Sequence, residues 1–241
     1  MNPFDQALIA FYNQFAQRWA LFDRFLNLLV GAKLLKGGVL MALFWGAWIA
    51  HGRYNDRDEM RTTLLASLLG STGAVTLARI LAHLLPFRPR PAYLASDLFR
   101  LPYGTHLDAM GLTDWSSFPS DHAALFSGLA MGLLLVSRRL GAISLLWVLV
   151  VISFPRLYLG IHYPTDILGG MILGIASTGV VCLLAQRRHA IKRVCASVVA
   201  LAQSSPYLFY AGLFLCSFEI ADLFDDVRDV LSALVKLWTK Q

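Results

Sequence analysis

The segment 62–85 carries no charged side chain before Arg79, and the segment 164–185 carries only Asp166. A bilayer crossing needs about 20 predominantly apolar residues. Apolar runs of this length predict membrane spans, because buried strands and most core helices are shorter. Four more runs follow the same pattern: 37–50, which is short unless Leu34 and Leu35 extend it past Lys36; 122–139, ending at Arg138 and Arg139; 141–158, with Pro155 as an expected kink; and 206–221. Charge is scarce throughout, at 15% of residues against about 25% in ordinary soluble domains, while 57% of residues are hydrophobic. These figures exclude an ordinary soluble domain, a disordered chain, a nucleic-acid-binding basic domain and a disulfide scaffold. Cys182, Cys195 and Cys216 lie in apolar stretches without metal-site spacing and read as inert core thiols.

The expected fold class is all-α, a polytopic membrane helix bundle with about six transmembrane helices. It forms one domain over 1–241, with no internal repeat. Over 1–35, Phe4, Leu8, Phe11, Phe15, Trp19, Phe22, Leu26 and Leu29 recur at helical spacing, with Asp5, Arg18, Asp23 and Arg24 among the other positions. That stripe predicts an amphipathic helix in the membrane interface or against the bundle. Asp5 falls where a signal peptide would be basic. The segment 186–205 reads as a loop plus an interfacial or partly inserted helix, and 222–241 as an amphipathic tail.

Basic residues set the expected orientation. Arg53, Arg57 and Arg61, then Arg138 and Arg139, then Arg187, Arg188, Lys192 and Arg193 share one side, which reads as cytoplasmic. The connection 86–119 then faces outward; Lys33 and Lys36 run against this pattern. Much of the +6 net charge reports topology on this reading, with no nucleic-acid partner. Gly128 and Gly132, and Gly170 and Gly174, have the small-xxx-small spacing that lets helices approach closely.

Three polar clusters stand at span ends on the outward face. In the first, Arg88 and Arg90 alternate with Pro86, Pro89 and Pro91, giving two planar guanidiniums on a stiff segment. That suits a phosphate, or equally a lipid headgroup. In the second, Ser120 is placed as an N-cap before Asp121 and His122, at the anion-favouring end of a helix. In the third, His162 precedes Pro164, a fitting first helical residue, and Asp166 follows four residues later. A carboxylate there can hold one imidazole nitrogen and leave the other free to attack. Read singly, the second is also an ordinary cap and the third a structural pair.

Together and in this order, the clusters resemble the type 2 phosphatidate phosphatase and vanadium haloperoxidase superfamily. That family's signature is Lys-x6-Arg-Pro, then Pro-Ser-Gly-His, then Ser-Arg-x5-His-x3-Asp. Here the motifs read Arg90-Pro91 with His83 at the Lys position, Pro119-Ser120-Asp121-His122, and Pro155-Arg156 followed by His162 and Asp166. They place a catalytic core at 83–166. The resemblance implies that His162 attacks phosphorus to form a phosphohistidine, that Asp166 fixes its tautomer, and that His122 protonates the leaving oxygen. Arg90, Arg156, Ser120, Asp121, His83 and the amides after Ser120 would bind phosphate. Arg79 or Arg88 could substitute for the absent Lys. No metal or other cofactor is implied.

Asp121 in the place of Gly is similar to bacterial undecaprenyl pyrophosphate phosphatases. The implied function is therefore a lipid phosphatase of the bacterial inner membrane, with its site facing the periplasm and undecaprenyl diphosphate as first substrate. Phosphatidylglycerophosphate, phosphatidate and lipid A phosphates are the alternatives. Phosphotransfer to a second lipid, vanadium-dependent halide oxidation and transport are the competing functions. The segment 86–119, with Tyr93, Phe99, Tyr103 and Trp115, reads as a lid or lipid gate. The oligomeric state is not legible.

Overall fold

The computed structural model describes residues 2–50, 54–94, 99–106, 111–187, 189–228 and 230, with the backbone alone at 54–57 and 189–192. The described residues form α1 (Pro3–Asn13), α2 (Ala20–Gly31), α3 (Val39–Ile49), α4 (Tyr54–Leu84), α5 (Asp121–Val136), α6 (Arg138–Tyr158), α7 (Pro164–Arg187), α8 (His189–Ser204) and α9 (Pro206–Ala221), with no strand among them. Local chemistry fixes several ends. Asn2 caps α1 by accepting from Asp5 N, with Pro3 in the first turn. Ser137 leaves α5 in an extended conformation and its hydroxyl caps α6. Pro164 and Pro206 open α7 and α9.

The result is an all-α membrane helix bundle. Asp58–Leu84 of α4, α6 and α7 are each long and apolar enough to cross a bilayer, and α2 with Leu34–Ile49 forms a fourth such unit bent by 70°. The expected six crossings are thus three or four by length and composition. The runs beginning at His122 and Pro206 make 16-residue helices. α5 is short and also central. It is wrapped by α4 and α7, and Ala123 through Ala130 are all buried. Large apolar residues such as Leu168, Ile172, Val180 and Phe214 face outward instead, as lipid contact requires.

The paired glycines lie where the spacing places them. A Cβ on Gly128 would meet Ser71 and Thr178, on Gly132 Ser67, and on Gly170 and Gly174 the backbone of Ser120 and Ala124. α4, α5 and α7 therefore pack backbone to backbone.

The single N-terminal helix is corrected to two, α1 and α2. Between them Gln17 takes a left-handed φ of 66°, and its N–H donates to the Asp23 carboxylate. Asp5 and Asp23, expected on the wet face of the stripe, are fully buried. Asp23 also accepts from Tyr103 N and from the Tyr158 hydroxyl, so these acids tie the N-terminal helices to the bundle.

The segment 186–205 is helical over His189–Ser204. Cys182 and Cys195 are buried, but Cys216 is exposed, so it is not a core thiol. Of the expected tail, Arg228 and the residues before it are described, whereas 229 and 231–241 lie outside the described residues, as do Arg53 and Arg188.

Candidate active site

The end of α6 builds the site's spine. After Tyr158 the chain turns through Gly160, whose φ is 69° and whose missing Cβ leaves room for Phe99 and Ala92. Only glycine takes this conformation without strain. The turn folds back so that Ile161 N and His162 N donate to Arg156 O. His162 is thereby fixed just ahead of α7, where the residue is 3% exposed.

Its two nitrogens have distinct partners. Nδ1 lies 2.9 Å from the Ser117 carbonyl. A carbonyl only accepts, so Nδ1 carries the proton and Nε2 has the free lone pair. Nε2 faces Arg90 Nη1 at 3.4 Å. The expected hydrogen bond to Asp166 is not formed; its Oδ2 stands 3.7 Å from Nδ1. Asp166 is engaged otherwise. It accepts from Tyr163 N at 2.8 Å, half of a capping box at the head of α7, and its Oδ1 receives Arg88 Nη1. Burial, followed by the repulsion of Arg90, holds the His162 pKa below the ordinary imidazole range, and Asp166 opposes that shift.

Arg90, Asp121, His122, Arg156 and His162 line one cavity of about 360 Å³, with Arg79 beside them. Arg90 anchors through Nη1 to Ile161 O, while its buried Nε has no partner. Arg156, 2% exposed, spends Nη1 on Ile152 O. His122 Nδ1 lies 2.9 Å from Asp121 Oδ1, and Asp121 Oδ2 lies 3.8 Å from Arg79. Asp121 is thus a partner of His122 and Arg79, and as a carboxylate it repels an anion.

Three expected phosphate ligands fall elsewhere. Ser120 caps α5, accepting from Ala123 N at 3.4 Å, and is fully buried outside the cavity lining. His83 is exposed, with its ring 5.6 Å from that of Trp115, and is also absent from the lining. Arg88 sits behind the site, where it bridges Asp166 and Asp5. Trp115 does line the cavity and Phe99 is buried beneath the turn at Gly160, which leaves Tyr103 and Trp115 as the exposed aromatics of the expected gate.

Sequence reasoning missed Lys36, Asp225 and Arg228, which also line the cavity, and Asp5. The signal for Lys36 was a lone charge followed by Gly37-Gly38 in an apolar run. A second cavity, about 460 Å³, lies at the other end of α4 against Asp58, Glu59 and Gln186, with no basic or imidazole side chain in its lining among the described residues. Among the described residues, no group of three or more His, Cys, Asp or Glu could hold a metal ion.

Residues 62–190 match the PAP2 superfamily. The chain is 46% identical over 71 residues to the "putative undecaprenyl-diphosphatase YbjG" of Escherichia coli, covering 29% of this chain and 33% of that protein. It is 27% identical over 126 residues to "undecaprenyl-diphosphatase BcrC" of Bacillus subtilis, covering 51% and 57%. A crystal structure of Aquifex aeolicus LpxE aligns with a TM-score of 0.47 and 25% identity over 73% of this chain and 92% of that one. The matched stretches span from a third to just over half the length of these two curated relatives. The profile match covers more than half of the chain and takes in His83 through Asp166, as the three motifs imply: the chain belongs to the PAP2 superfamily.

Proposed function

We propose that this protein is a lipid phosphate or diphosphate phosphatase acting through a phosphohistidine, with undecaprenyl diphosphate as its first substrate. The observation that carries the reading is the His162 imidazole, whose tautomer is set by Ser117 O and whose Nε2 points at Arg90 in the cavity shared with His122 and Arg156. Nε2 attacks phosphorus and the bond to the leaving oxygen breaks, with His122 donating a proton to that oxygen. Water then attacks the phosphohistidine, His122 takes its proton, and Nε2 is released. Arg90 and Arg156 hold the equatorial oxygens, where charge develops. The scheme draws its positive charge from guanidiniums and requires no metal.

The names of the two undecaprenyl-diphosphatases support the substrate, as does the outward apolar face, which keeps a lipid tail in the bilayer beside the cavity. The basic connections support a site at the outer face of a bacterial inner membrane. The test is phosphate release by the purified protein in detergent with chelator, across undecaprenyl diphosphate, phosphatidate, phosphatidylglycerophosphate and lipid A. His162→Ala should abolish release, and substantial turnover by that variant would sink the nucleophile assignment.

A second reading is phosphoryl transfer to another lipid. It is favoured by the 29% identity over 143 residues to the "lipid A 1-diphosphate synthase" of Escherichia coli, covering 58% of this chain and 56% of that protein. Turnover that depends on an added acceptor lipid would select it.

A further inference from the structure

Lys36 enters the cavity from an unexpected place. The unit formed by α2 and α3 bends by 70°, and the π-helical turn Leu34–Gly38 lies just past the bend. The turn is held on both sides. Trp147 Nε1 donates to Leu35 O at 2.9 Å, and Gly37 packs against the backbone of Ala221, where a Cβ would collide. Three residues earlier, Lys33 is consumed by Asp222 at 2.5 Å and Asp226 at 3.4 Å. The Lys36 ammonium has no hydrogen bond or ion pair among the described residues, yet the residue is only partly exposed and lines the cavity. An ammonium held in this way has its three donors unspent.

The cavity has two poles. Arg90 Nη1 stands 3.4 Å from His162 Nε2, whereas His122 Nδ1 stands 2.9 Å from Asp121 Oδ1. Arg79 joins the second pole through Asp121 and is itself fixed by donating to Leu223 O at 3.0 Å. Arg90 thus stands beside the attacking nitrogen, Arg79 lies through Asp121 on the side of the group that protonates the leaving oxygen, and Lys36 lines the same cavity. With Arg156 and Arg228, the lining holds five basic side chains against the two carboxylates of Asp121 and Asp225. That excess exceeds what a phosphate monoester dianion needs and fits a diphosphate.

We infer that Lys36, supported by Arg79, forms a second anion subsite that holds the phosphate remaining on the lipid when the terminal phosphoryl group goes to His162. The inference rests on the assignment of His162 as nucleophile and His122 as acid, and it narrows the substrate class to lipid diphosphates. It also gives the α2–α3 break a purpose: the break delivers a cation to the leaving-group side of the site.

The experiment is a binding measurement, by calorimetry or competitive inhibition, with inorganic phosphate and inorganic pyrophosphate on the full chain in detergent. Wild type should hold pyrophosphate more tightly than phosphate. Lys36→Gln should weaken pyrophosphate about tenfold, the scale of one charge-assisted contact, and leave phosphate within about twofold. Lys36→Arg should retain the preference. Equal weakening of both anions would make Lys36 a ligand of the transferred phosphate and overturn the subsite, as would no weakening of either. If Lys36→Gln does not fold, the wild-type ratio decides, because equal affinities for the two anions also overturn it. Binding needs no turnover, so a Lys36-dependent pyrophosphate preference without phosphate release from undecaprenyl diphosphate would sink the phosphatase reading and leave the subsite standing.

Discussion

Asp5 and Asp166 are held by the two terminal nitrogens of one guanidinium, with Arg88 Nη2 and Nη1 each 2.5 Å from a carboxylate oxygen. Thr165 completes the link, donating its N–H and hydroxyl to Asp5 at 3.0 and 2.7 Å, and Arg88 stacks 4.0 Å from the centre of the Tyr163 ring. The first helix is thus bolted to the head of α7, one residue from His162. Arg88 is a positioning residue that does not itself line the cavity. Arg88→Met should therefore lower kcat by roughly 10- to 100-fold, the cost of displacing a catalytic group by about 1 Å, with KM within about twofold. A rise in KM at unchanged kcat would instead make Arg88 a direct substrate ligand.

The same strut has a signature in acid. Burial alone would raise the Asp5 pKa, but the Thr165 hydrogen bonds and the Arg88 cation outweigh it and bring it below the ordinary Asp value. A carboxylate with a depressed folded pKa stabilises the fold fully above its unfolded value, and that contribution is lost as pH falls through the folded one. Asp5→Asn should therefore lower Tm at neutral pH, and the gap to wild type should close as pH drops below about 4. A gap that does not change with pH would show that the carboxylate charge contributes nothing.

On the proposed mechanism, His162 sets the acid limb of activity. Its depressed pKa keeps Nε2 unprotonated at neutral pH, so kcat/KM should fall only below the ordinary imidazole value of about 6.5. Asp166 acts to raise that pKa, so Asp166→Asn should move the acid limb to lower pH even as kcat drops. Comparing the two enzymes on one substrate cancels the substrate's own ionisation. A limb that moves upward in the variant would contradict the electrostatic assignment.

Much of this architecture is legible in the sequence because it depends on local rules. Apolar length marks α4 and α7, glycine spacing marks the close approach of α5 and α7, and cap chemistry marks Ser120 and Pro164. Motif order locates His122, His162, Arg90 and Arg156. What escapes the sequence depends on partners far along the chain. Nothing near His162 says that Ser117 O, not Asp166, will hold Nδ1. The helical stripe around Asp5 and Asp23 shows which face is apolar, but not that loops and an arginine will bury the acids. Lys36 is a lone charge in sequence and becomes a cavity residue only because α2 and α3 break beside it.

The position that the family pattern reserves for Lys is His83, and the structure separates its place in the sequence from its place in space. The His83 ring is exposed and rests on Trp115, whereas Arg79, one turn earlier on α4, lines the cavity beside Asp121. His83→Ala should leave kcat/KM within about twofold, as exposed substitutions do, and His83→Lys should bring no gain. Arg79→Ala should raise KM about tenfold, close to 1.4 kcal/mol, through the loss of a charge-assisted contact. If His83→Ala were the damaging change and Arg79→Ala the silent one, the cavity would have to reorganise around His83 when substrate binds.

Gly174 tests the packing on which the site stands. A Cβ there would meet the Ala124 carbonyl and the Ser127 hydroxyl, and one on Gly170, one turn before, would meet Ser120 O. Ser120 N in turn donates to Asp166 O at 3.0 Å, so the heads of α5 and α7, which carry His122 and Asp166, are registered by this contact. A side chain at Gly174 must push the helices apart, because the Ala124 carbonyl it meets is backbone and cannot rotate away. Gly174→Val should destabilise by about 1–3 kcal/mol, as overpacking does, and should lower kcat in the fraction that remains folded. Gly46, with open space around its Cβ position, serves as the control, since Gly46→Ala should be neutral or slightly stabilising for a residue inside a helix. Equal Tm values for Gly174→Val and wild type would mean that α5 and α7 do not depend on this contact for their register.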